Sequence, residues 1–413
     1  MKKMFALTFI AAMMMTTACD KNEPQNTEEN VRHDIALTKA QSELSSLSND
    51  FTFDFMKILA TKEDKNENLF ASPFSLQTVL AMTAEGAVGD TRSEMLNALK
   101  LSGYSEEDIA GYFRTLIPAL EGVDNTTVME IANSFWSKQS IAIKDDYAAR
   151  LEADYYAECQ TLDFNGKVAA GAVNGWCSAK THGMINKVVD EIPDDQMVAL
   201  INAIYFKGEW SDKFNEKNNY DDNFSNYDGS TRKVTLMSRG ATMNVSVGER
   251  ASALSLPYGN GAYAMTVILP AKGVDVNDVV ASLDSETWRE YRHGGDRYEV
   301  SLSLPKFETE YTAADICINT LNDMGMKNAF TRAADFTGIS DTRLFIDQVI
   351  HKAKVIVNEK GTEAAAVSYV GMRLTSVAAP LRHLDFKVDR PFIYAISEVS
   401  TGAIVFIGVQ RNF

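Results

Sequence analysis

The sequence predicts an α+β protein with one large core. Helix-like segments dominate the early part of the 413-residue chain and strand-like segments dominate the late part, so the two types do not alternate as they do in βαβ proteins. The composition, 45% hydrophobic and 23% charged, is typical of a globular protein with a sizeable core. No linker divides residues 48–413, and we therefore expect one domain there.

Helices are predicted mainly near the start of this domain. Ser48-Asn49-Asp50 precede FTFDFMKILA and predict a capped helix start. In SPFSLQTVLAMTAEGA, Pro73 stands in a first turn before apolar residues at helical spacing. Asp90 begins a third predicted helix, DTRSEMLNALK, and residues 311–326 (YTAADICINTLNDMGM) form a further one.

Strands are predicted where apolar, β-branched and aromatic residues run or alternate between turn signals. These segments are TVMEIANSFW (127–136), ALINAIYFKGEW (199–210), AYAMTVILP (262–270), YEVSLSLPKFE (298–308), VIHKAKVIVNEKG (349–361) and AIVFIGV (403–409). Gly259-Asn260-Gly261 precedes a strand, which favours a hairpin turn over a nucleotide-binding fingerprint.

Residues 1–18 have the pattern of a secretory signal peptide. Lys2 and Lys3 precede an apolar stretch that is shorter than the about 20 residues needed to span a bilayer. Thr17-Ala18-Cys19 resembles the end of a bacterial lipobox, in which the cysteine is lipidated and becomes the new N-terminus. An ordinary signal peptide with a chance cysteine is the alternative.

The signal predicts an exported protein that a lipid on Cys19 anchors to the bacterial outer membrane or cell surface. A secreted or periplasmic protein is the alternative location. Residues 19–47 are polar and carry few large apolar side chains, so they cannot bury enough surface to fold alone. We expect them to tether the domain to the lipid.

Charge and motif content exclude several functions. A formal net charge of −16 without a basic run makes nucleic-acid binding unfavourable. Cys159, Cys177 and Cys317 lack metal-site spacing and are expected to be buried free thiols. The histidines do not pair at ligand spacing, and no GxSxG, HExxH or GxxxxGK[ST] motif occurs. We therefore expect no metal, no cofactor and no enzymatic activity.

Several motifs, in order along the chain, resemble those of the serpin family. NLFASPFS (68–75) resembles the family signature, and VALINAIYFKGEW (198–210) resembles the segment that carries a shutter asparagine and a breach tryptophan. VIHKAKVIVNEKGTEAAAV (349–367) resembles the strand and hinge before the reactive loop. LPKFETEYTAAD, ADFTGIS and DRPFIYAI match further family segments, so the resemblance covers residues 48–413.

The resemblance implies a serpin fold of three β-sheets and eight or nine helices, with an exposed reactive loop at about residues 359–385. Family members are mostly suicide inhibitors of serine proteases, and some inhibit cysteine proteases. The implied partners are target proteases, bound covalently by a monomer. In this chain Ser72, Ser75, Asn202 and His351 would form the shutter, and Trp210 would mark the breach where the loop enters the sheet.

The loop has the composition of a segment that could become an internal strand of a sheet. No proline occurs from Thr362 to Ala379, so each residue can donate an N–H to a ladder. Because side chains alternate between faces, Thr362, Ala364, Ala366 and Ser368 would all turn toward the core, and all four are small and uncharged. The hinge by resemblance consists of Glu359, Gly361, Thr362, Glu363, Ala364, Ala365 and Ala366.

The cleaved bond follows from the family's spacing. In the family this bond usually lies about fourteen residues after the hinge glycine, which places it at Thr375–Ser376 in this chain. Fourteen residues span about 46 Å as a strand. Thr375 suits elastase-like pockets, whereas Leu374 and Arg373 would suit chymotrypsin-like and trypsin-like pockets, so a broad target range is expected. The alternative is a non-inhibitory serpin that acts as a carrier or surface-binding lipoprotein and whose loop does not insert.

Overall fold

The computed structural model describes residues 30–413 except 314, 347, 350 and 363–380. The signal peptide, Cys19 and most of the reactive loop therefore lie outside the described residues. Within the described part the chain forms nine α-helices. They are α1 (Lys39–Lys62), α2 (Pro73–Ala84), α3 (Gly89–Ala98), α4 (Glu106–Gly122), α5 (Asp145–Tyr155), α6 (Lys167–Lys180), α7 (Val276–Ala281), α8 (Ser285–His293) and α9 (Asp315–Asp323).

The same residues form fifteen strands. They are β1 (Leu69–Ala71), β2 (Val128–Lys138), β3 (Ala157–Leu162), β4 (Val198–Glu209), β5 (Tyr220–Ser225), β6 (Thr231–Val247), β7 (Ala251–Tyr258), β8 (Tyr263–Pro270), β9 (Asp296–Pro305), β10 (Phe307–Ala313), β11 (His351–Asn358), β12 (Gly361–Thr362), β13 (Arg382–Lys387), β14 (Phe392–Glu398) and β15 (Ile404–Gln410).

Hydrogen bonding joins these strands into two sheets. One has the order β10-β11-β12-β4-β2-β3, and the other has the order β1-β15-β14-β8-β7-β6-β9-β13, with β5 paired to β6. The resemblance implies three sheets, and the difference arises at the 17-residue strand β6. It pairs with β9 over Leu236–Val245 and with β7 at Ser246–Val247, so it belongs to two layers and connects them.

The cap of the first helix lies ten residues earlier than the sequence predicts, at Thr38 instead of Ser48. Thr38 caps α1 in a capping box with Gln41, whose side chain accepts from the Thr38 N–H at 3.0 Å. Ser48 and Asn49, the predicted caps, are buried inside α1 and bond to distant segments instead, Ser48 to Gln77 at 2.6 Å and Asn49 to the carbonyl of Gly402 at 3.0 Å. Residues 39–47, assigned to the tether from sequence, are therefore helical.

Three other predicted boundaries are wrong. The predicted strand 298–308 is two strands, because the chain leaves one sheet after Pro305 and enters the other at Phe307. Residues 311–313, predicted to be helical, complete β10, where burial alternates with period two. The predicted Asp90 cap is also wrong, since α3 begins at Gly89 and Asp90 lies in its first turn.

Helix α2 lies between the two sheets. It packs against β4 on one side and β15 on the other, and nearly all of its residues are buried. The main core continues around it, with Phe70 stacked on Phe406 at 5.3 Å between ring centroids. A smaller apolar cluster joins α6 to β2 and β4, including Val173, Trp136 and Ala199. The start of α2 is thereby held beneath β4.

The three cysteines in the described part of the chain are free, and none of the described His, Cys, Asp and Glu side chains form a group that could hold a metal ion. Cys177 and Cys317 are buried as predicted, and Cys159 is half-buried. Burial raises the pKa of Cys177 and Cys317 to about 12, which keeps both thiols protonated. None of the described helices is both long and apolar enough to cross a bilayer.

Candidate functional site

The predicted site residues that the structure describes form two groups along β4 and β11. The shutter cluster consists of Ser72, Ser75, Asn202 and His351. The breach cluster consists of Trp210, Glu359, Gly361 and Thr362. Glu363, Ala364, Ala365 and Ala366 of the hinge, the reactive-bond candidates Arg373, Leu374, Thr375 and Ser376, and the lipidation candidate Cys19 all lie outside the described residues.

The four shutter residues form one hydrogen-bonded chain. Ser72 is the N-cap of α2, and its backbone N–H donates to His351 Nε2 at 2.8 Å. Its hydroxyl accepts from the Ser75 N–H, and the Ser75 hydroxyl donates to Asn202 Oδ1. The cluster therefore ties the start of α2 to β4 and to the first residue of β11.

Sequence reasoning missed a fifth member of this chain. Asn202 Nδ2 donates to Asn133 Oδ1 at 2.6 Å, because these residues are direct partners in the β2–β4 register. Asn133 in turn donates to the carbonyl of Tyr155 at 2.7 Å. Two asparagines within predicted strands are the only sequence signal, and they can be matched only when the register is known.

His351 is uncharged in this setting. Its side chain is buried, and burial lowers its pKa from the ordinary 6.5 to about 4. Because Nε2 accepts a hydrogen bond from Ser72, the imidazole proton lies on Nδ1. Protonation would replace this acceptor by a donor that faces another donor.

Trp210 holds the turn between β11 and β12. Its indole stacks on Tyr258 with ring centroids 4.4 Å apart, and its Nε1–H donates to the carbonyl of Asn358 at 2.9 Å. Its backbone N–H donates to the carbonyl of Lys360 at 2.8 Å. The ring and the backbone of one residue thus bind the chain just before the loop.

Gly361 and Thr362 form a two-residue strand between β11 and β4. Gly361 has φ +151, and a Cβ at this position would lie 2.1 Å from the carbonyl oxygen of Gly208, so a side chain is excluded. Thr362 is 2% exposed, and its hydroxyl lies 2.7 Å from the hydroxyl of Tyr258. The loop therefore begins with its first side chain already buried.

Glu359 connects this turn to two segments that lie between strands, one at Lys306 and one at Asn219. Its carboxylate is almost fully buried, forms an ion pair with Lys306 at 2.9 Å and accepts from Asn219 Nδ2. Its carbonyl accepts from the Phe214 N–H at 3.0 Å. Lys306 lies between β9 and β10, where the chain changes sheets, so neither it nor Asn219 could be recognised as a partner from sequence position.

We expect His351 to make stability depend on pH. Its lowered pKa means that the folded state binds this proton less readily than the unfolded chain, so its contribution is fully present above pH 6.5 and is lost as the pH falls toward about 4. The loss is on the order of 3 kcal/mol at the acid end. Thermal unfolding from pH 7 to pH 4.5 should show a shallower pH dependence in His351→Gln than in the wild type.

Exposed His33 provides the matched control, since His33→Gln should leave the pH dependence unchanged. An identical pH dependence in wild type and His351→Gln would contradict the assignment.

Comparison with known proteins places this geometry in a family. The serpin (serine protease inhibitor) family model matches residues 46–412. An uncharacterized serpin-like protein of Thermococcus kodakarensis is 32% identical over 399 residues, 95% of this chain and 91% of that protein. Serine protease inhibitor A3K of Mus musculus is 31% identical over 395 residues, 93% of this chain and 91% of that protein.

A solved structure agrees with the sequence matches. The crystal structure of the thermophilic serpin tengpin in the native state has a TM-score of 0.81 and 30% sequence identity to this chain. The match covers 93% of this chain and 97% of the tengpin chain. The family match includes both sheets, the shutter cluster and the breach cluster. This chain belongs to the serpin family.

Proposed function

We propose that this serpin is a suicide-substrate inhibitor of serine proteases, which inserts its cleaved reactive loop as a strand in the six-stranded sheet. The position of β12 carries the proposal. Gly361 and Thr362 pair with β11 on one side and β4 on the other, and among the described residues no other segment lies between those two strands. The name of the mouse relative, serine protease inhibitor A3K, supports the same activity.

The register of β12 defines where an inserted loop would lie. Thr362 is opposite Gly208, and the strands are antiparallel, so residue 372, ten positions on, would be opposite Val198, ten positions back. Val198 is the first residue of β4. Insertion in this register would therefore use all 12 residues of β4, a length of about 40 Å. Thr375 would finish beyond the far end of that strand.

The same register matches the loop to its surroundings. Thr362 is buried, so alternation would bury Ala364, Ala366 and Ser368 on the same face. Ser368 is six residues after Thr362, which pairs with Gly208 and Val357. The residues six positions before those partners are Asn202 and His351. A serine would thus arrive level with the polar shutter cluster, whereas alanines would meet the apolar part of the sheet.

The covalent step belongs to the protease. Its serine Oγ attacks the carbonyl carbon of Thr375, the bond to the Ser376 nitrogen breaks, and that nitrogen takes a proton to become a new amino terminus. An ester now joins Thr375 to the protease. Insertion of the freed loop moves the protease along β4 before water can hydrolyse the ester, and the inhibitor supplies no catalytic group.

Mixing the protein with an elastase-like, a chymotrypsin-like or a trypsin-like protease should produce a complex that survives SDS. The released C-terminal fragment should begin at Ser376 with elastase, and at Thr375 or Leu374 after cleavage at Leu374 or Arg373. Mass spectrometry identifies the fragment, and a protease whose active-site serine is blocked is the control. Cleavage by every protease without a covalent band would indicate the non-inhibitory carrier or surface-binding alternative.

Cleavage of the loop should also raise the thermal unfolding midpoint by a large amount, because the inserted strand gains two ladders of backbone hydrogen bonds. The cleaved protein is measured against the intact protein under the same buffer conditions. An equal midpoint for the two forms would show that the loop stays outside the sheet.

Thr362→Arg should convert the inhibitor into a substrate. Thr362 already lies between β4 and β11 with its side chain buried, so an arginine there must either bury an unpaired charge or leave the sheet, and both hinder insertion of the residues that follow. The yield of SDS-stable complex should fall by about tenfold or more, with cleavage retained. Thr362→Ser keeps the hydroxyl near Tyr258 and is the matched control, and full inhibition by Thr362→Arg would exclude insertion in this register.

We also propose that a lipid on Cys19 anchors the inhibitor to a bacterial envelope, where it would meet proteases outside the cell. In cells labelled with radioactive palmitate, the wild type should carry label and fractionate with membranes. Cys19→Ala should lose both properties, and Cys159→Ala should keep them. Label retained by Cys19→Ala, or protein found only in the cytosol, would contradict the anchor.

A further inference from the structure

The first described residues of the chain are bound to a hairpin turn of the larger sheet. Asn30 Nδ2 donates to Asp124 Oδ1 and to Thr126 Oγ1, both at 3.0 Å. Asn30 Oδ1 accepts from Asn260 Nδ2 at 3.1 Å. Asn260 lies in the turn between β7 and β8, so Asn30 bridges that turn and the segment that joins α4 to β2.

Two further contacts extend this attachment along the N-terminal segment, residues 30–35. Arg32 donates to the carbonyl of Gly261 at 3.2 Å, in the same β7–β8 turn. The Ile35 N–H donates to the Ser400 hydroxyl at 2.9 Å, in the turn between β14 and β15. The N-terminal segment therefore follows a defined path over two turns before α1 begins.

Asp124 is the centre of this arrangement. It is 3% exposed, and its two oxygens accept hydrogen bonds from five donors. They are Asn30 Nδ2, the Thr126 N–H, the Thr126 hydroxyl, the Thr127 hydroxyl and the Asn260 N–H. Burial by itself raises the pKa of Asp124, but the hydrogen bonds from Asn30, Thr127 and Thr126 outweigh it and lower the pKa. The carboxylate is thus a charged acceptor that holds three segments together.

The β7–β8 turn fits closely between Asp124 and the end of β4. Gly259 has φ +46, and a Cβ there would lie 2.1 Å from Asp124 Oδ2. Its N–H donates to the carbonyl of Glu209 at 2.8 Å, and its carbonyl accepts from the Ser211 hydroxyl at 2.9 Å. The residues before and after Trp210 are therefore bonded to a turn whose other side rests on Asp124.

The turn also carries the side chain that receives the reactive loop. Tyr258 immediately precedes Gly259, is fully buried, stacks on Trp210 and places its hydroxyl 2.7 Å from that of Thr362. Tyr258 is only two residues before Asn260, which is bonded to Asn30 and Asp124. The N-terminal segment and the first inserted residue of the loop therefore share one support.

We propose that Asn30 and Asp124 are positioning residues for loop insertion, which hold the β7–β8 turn so that Tyr258 stays in place for Thr362. This inference rests on the proposed inhibitory function. Insertion competes with hydrolysis of the acyl-enzyme. A Tyr258 hydroxyl that is already in position therefore favours the complex with an inserted loop over cleaved, inactive inhibitor. Loosening the turn leaves the loop sequence untouched and slows only the step that begins at Thr362.

The test measures the stoichiometry of inhibition, the moles of inhibitor consumed per mole of protease trapped. The variants Asn30→Ala and Asp124→Asn are compared with the wild type against whichever protease forms the covalent complex. Each should raise the stoichiometry roughly two- to fivefold, with a matching rise in cleaved inhibitor. Asn30 lies in the partly exposed N-terminal segment, so Asn30→Ala should change the unfolding midpoint little.

Asp284→Ala is the matched control for lost stability. Asp284 caps α8 by accepting from the Thr287 N–H and hydroxyl, both at 2.8 Å, so its loss weakens a helix start and leaves the β7–β8 turn contacts in place. Its stoichiometry should equal that of the wild type. An equal rise in Asp284→Ala would assign the effect to general destabilisation and overturn the inference.

The remaining outcomes separate the two proposals. If the wild type forms no covalent complex, the inhibitory function fails and the inference falls with it. If the wild type forms the complex and Asn30→Ala has unchanged stoichiometry, only the inference is wrong. Should Asp124→Asn not fold, Asn30→Ala decides alone, because it removes the contacts to Asp124 and Asn260 without creating a buried cavity.

Discussion

The pairing of Gly361 and Thr362 with two strands at once is the constraint on which the arrangement of this protein depends. A strand antiparallel to both β4 and β11 requires those two strands to run parallel to each other, with one strand's width between them. Gly361 is the residue that permits the approach, since any Cβ would overlap the backbone of Gly208. The parallel direction of β4 and β11, the place where the loop begins and the burial of Thr362 are all linked to this local geometry.

Polar contacts hold β4 and β11 at two places along their length, the breach cluster and the shutter cluster. At the breach cluster, Trp210 and the ion pair between Glu359 and Lys306 bind the turn that precedes the loop. At the shutter cluster, His351 and Asn202 bond to α2, which packs between the sheets. Trp210, Glu359 and His351 are buried and paired, so the strands on either side are held by specific hydrogen bonds as well as by apolar contact.

Nothing in the proposed mechanism requires this chain to carry out chemistry, and its contribution is the rate of a conformational change. In that mechanism, the important residues are those that preorganise the place between β4 and β11 where the loop inserts. Tyr258 is such a residue, because it contacts Trp210 and Thr362 and is adjacent to the turn held by Asp124. An N-terminal segment that binds the same turn links the proposed anchored end of the protein to the place where the loop begins.

The sequence by itself determined the α+β class, most strands, the family resemblance and the small residues on alternate positions of the loop, because these depend on local pattern and on order along the chain. It did not determine where α1 starts, since Ser48 and Asn49 look like caps until Gln77 and Gly402 are brought to them. It also could not pair Asn133 with Asn202, Glu359 with Lys306 or Tyr258 with Thr362. Only the tertiary structure decided these contacts, because each joins residues far apart in the chain whose meeting depends on strand register and on how the two sheets pack around α2.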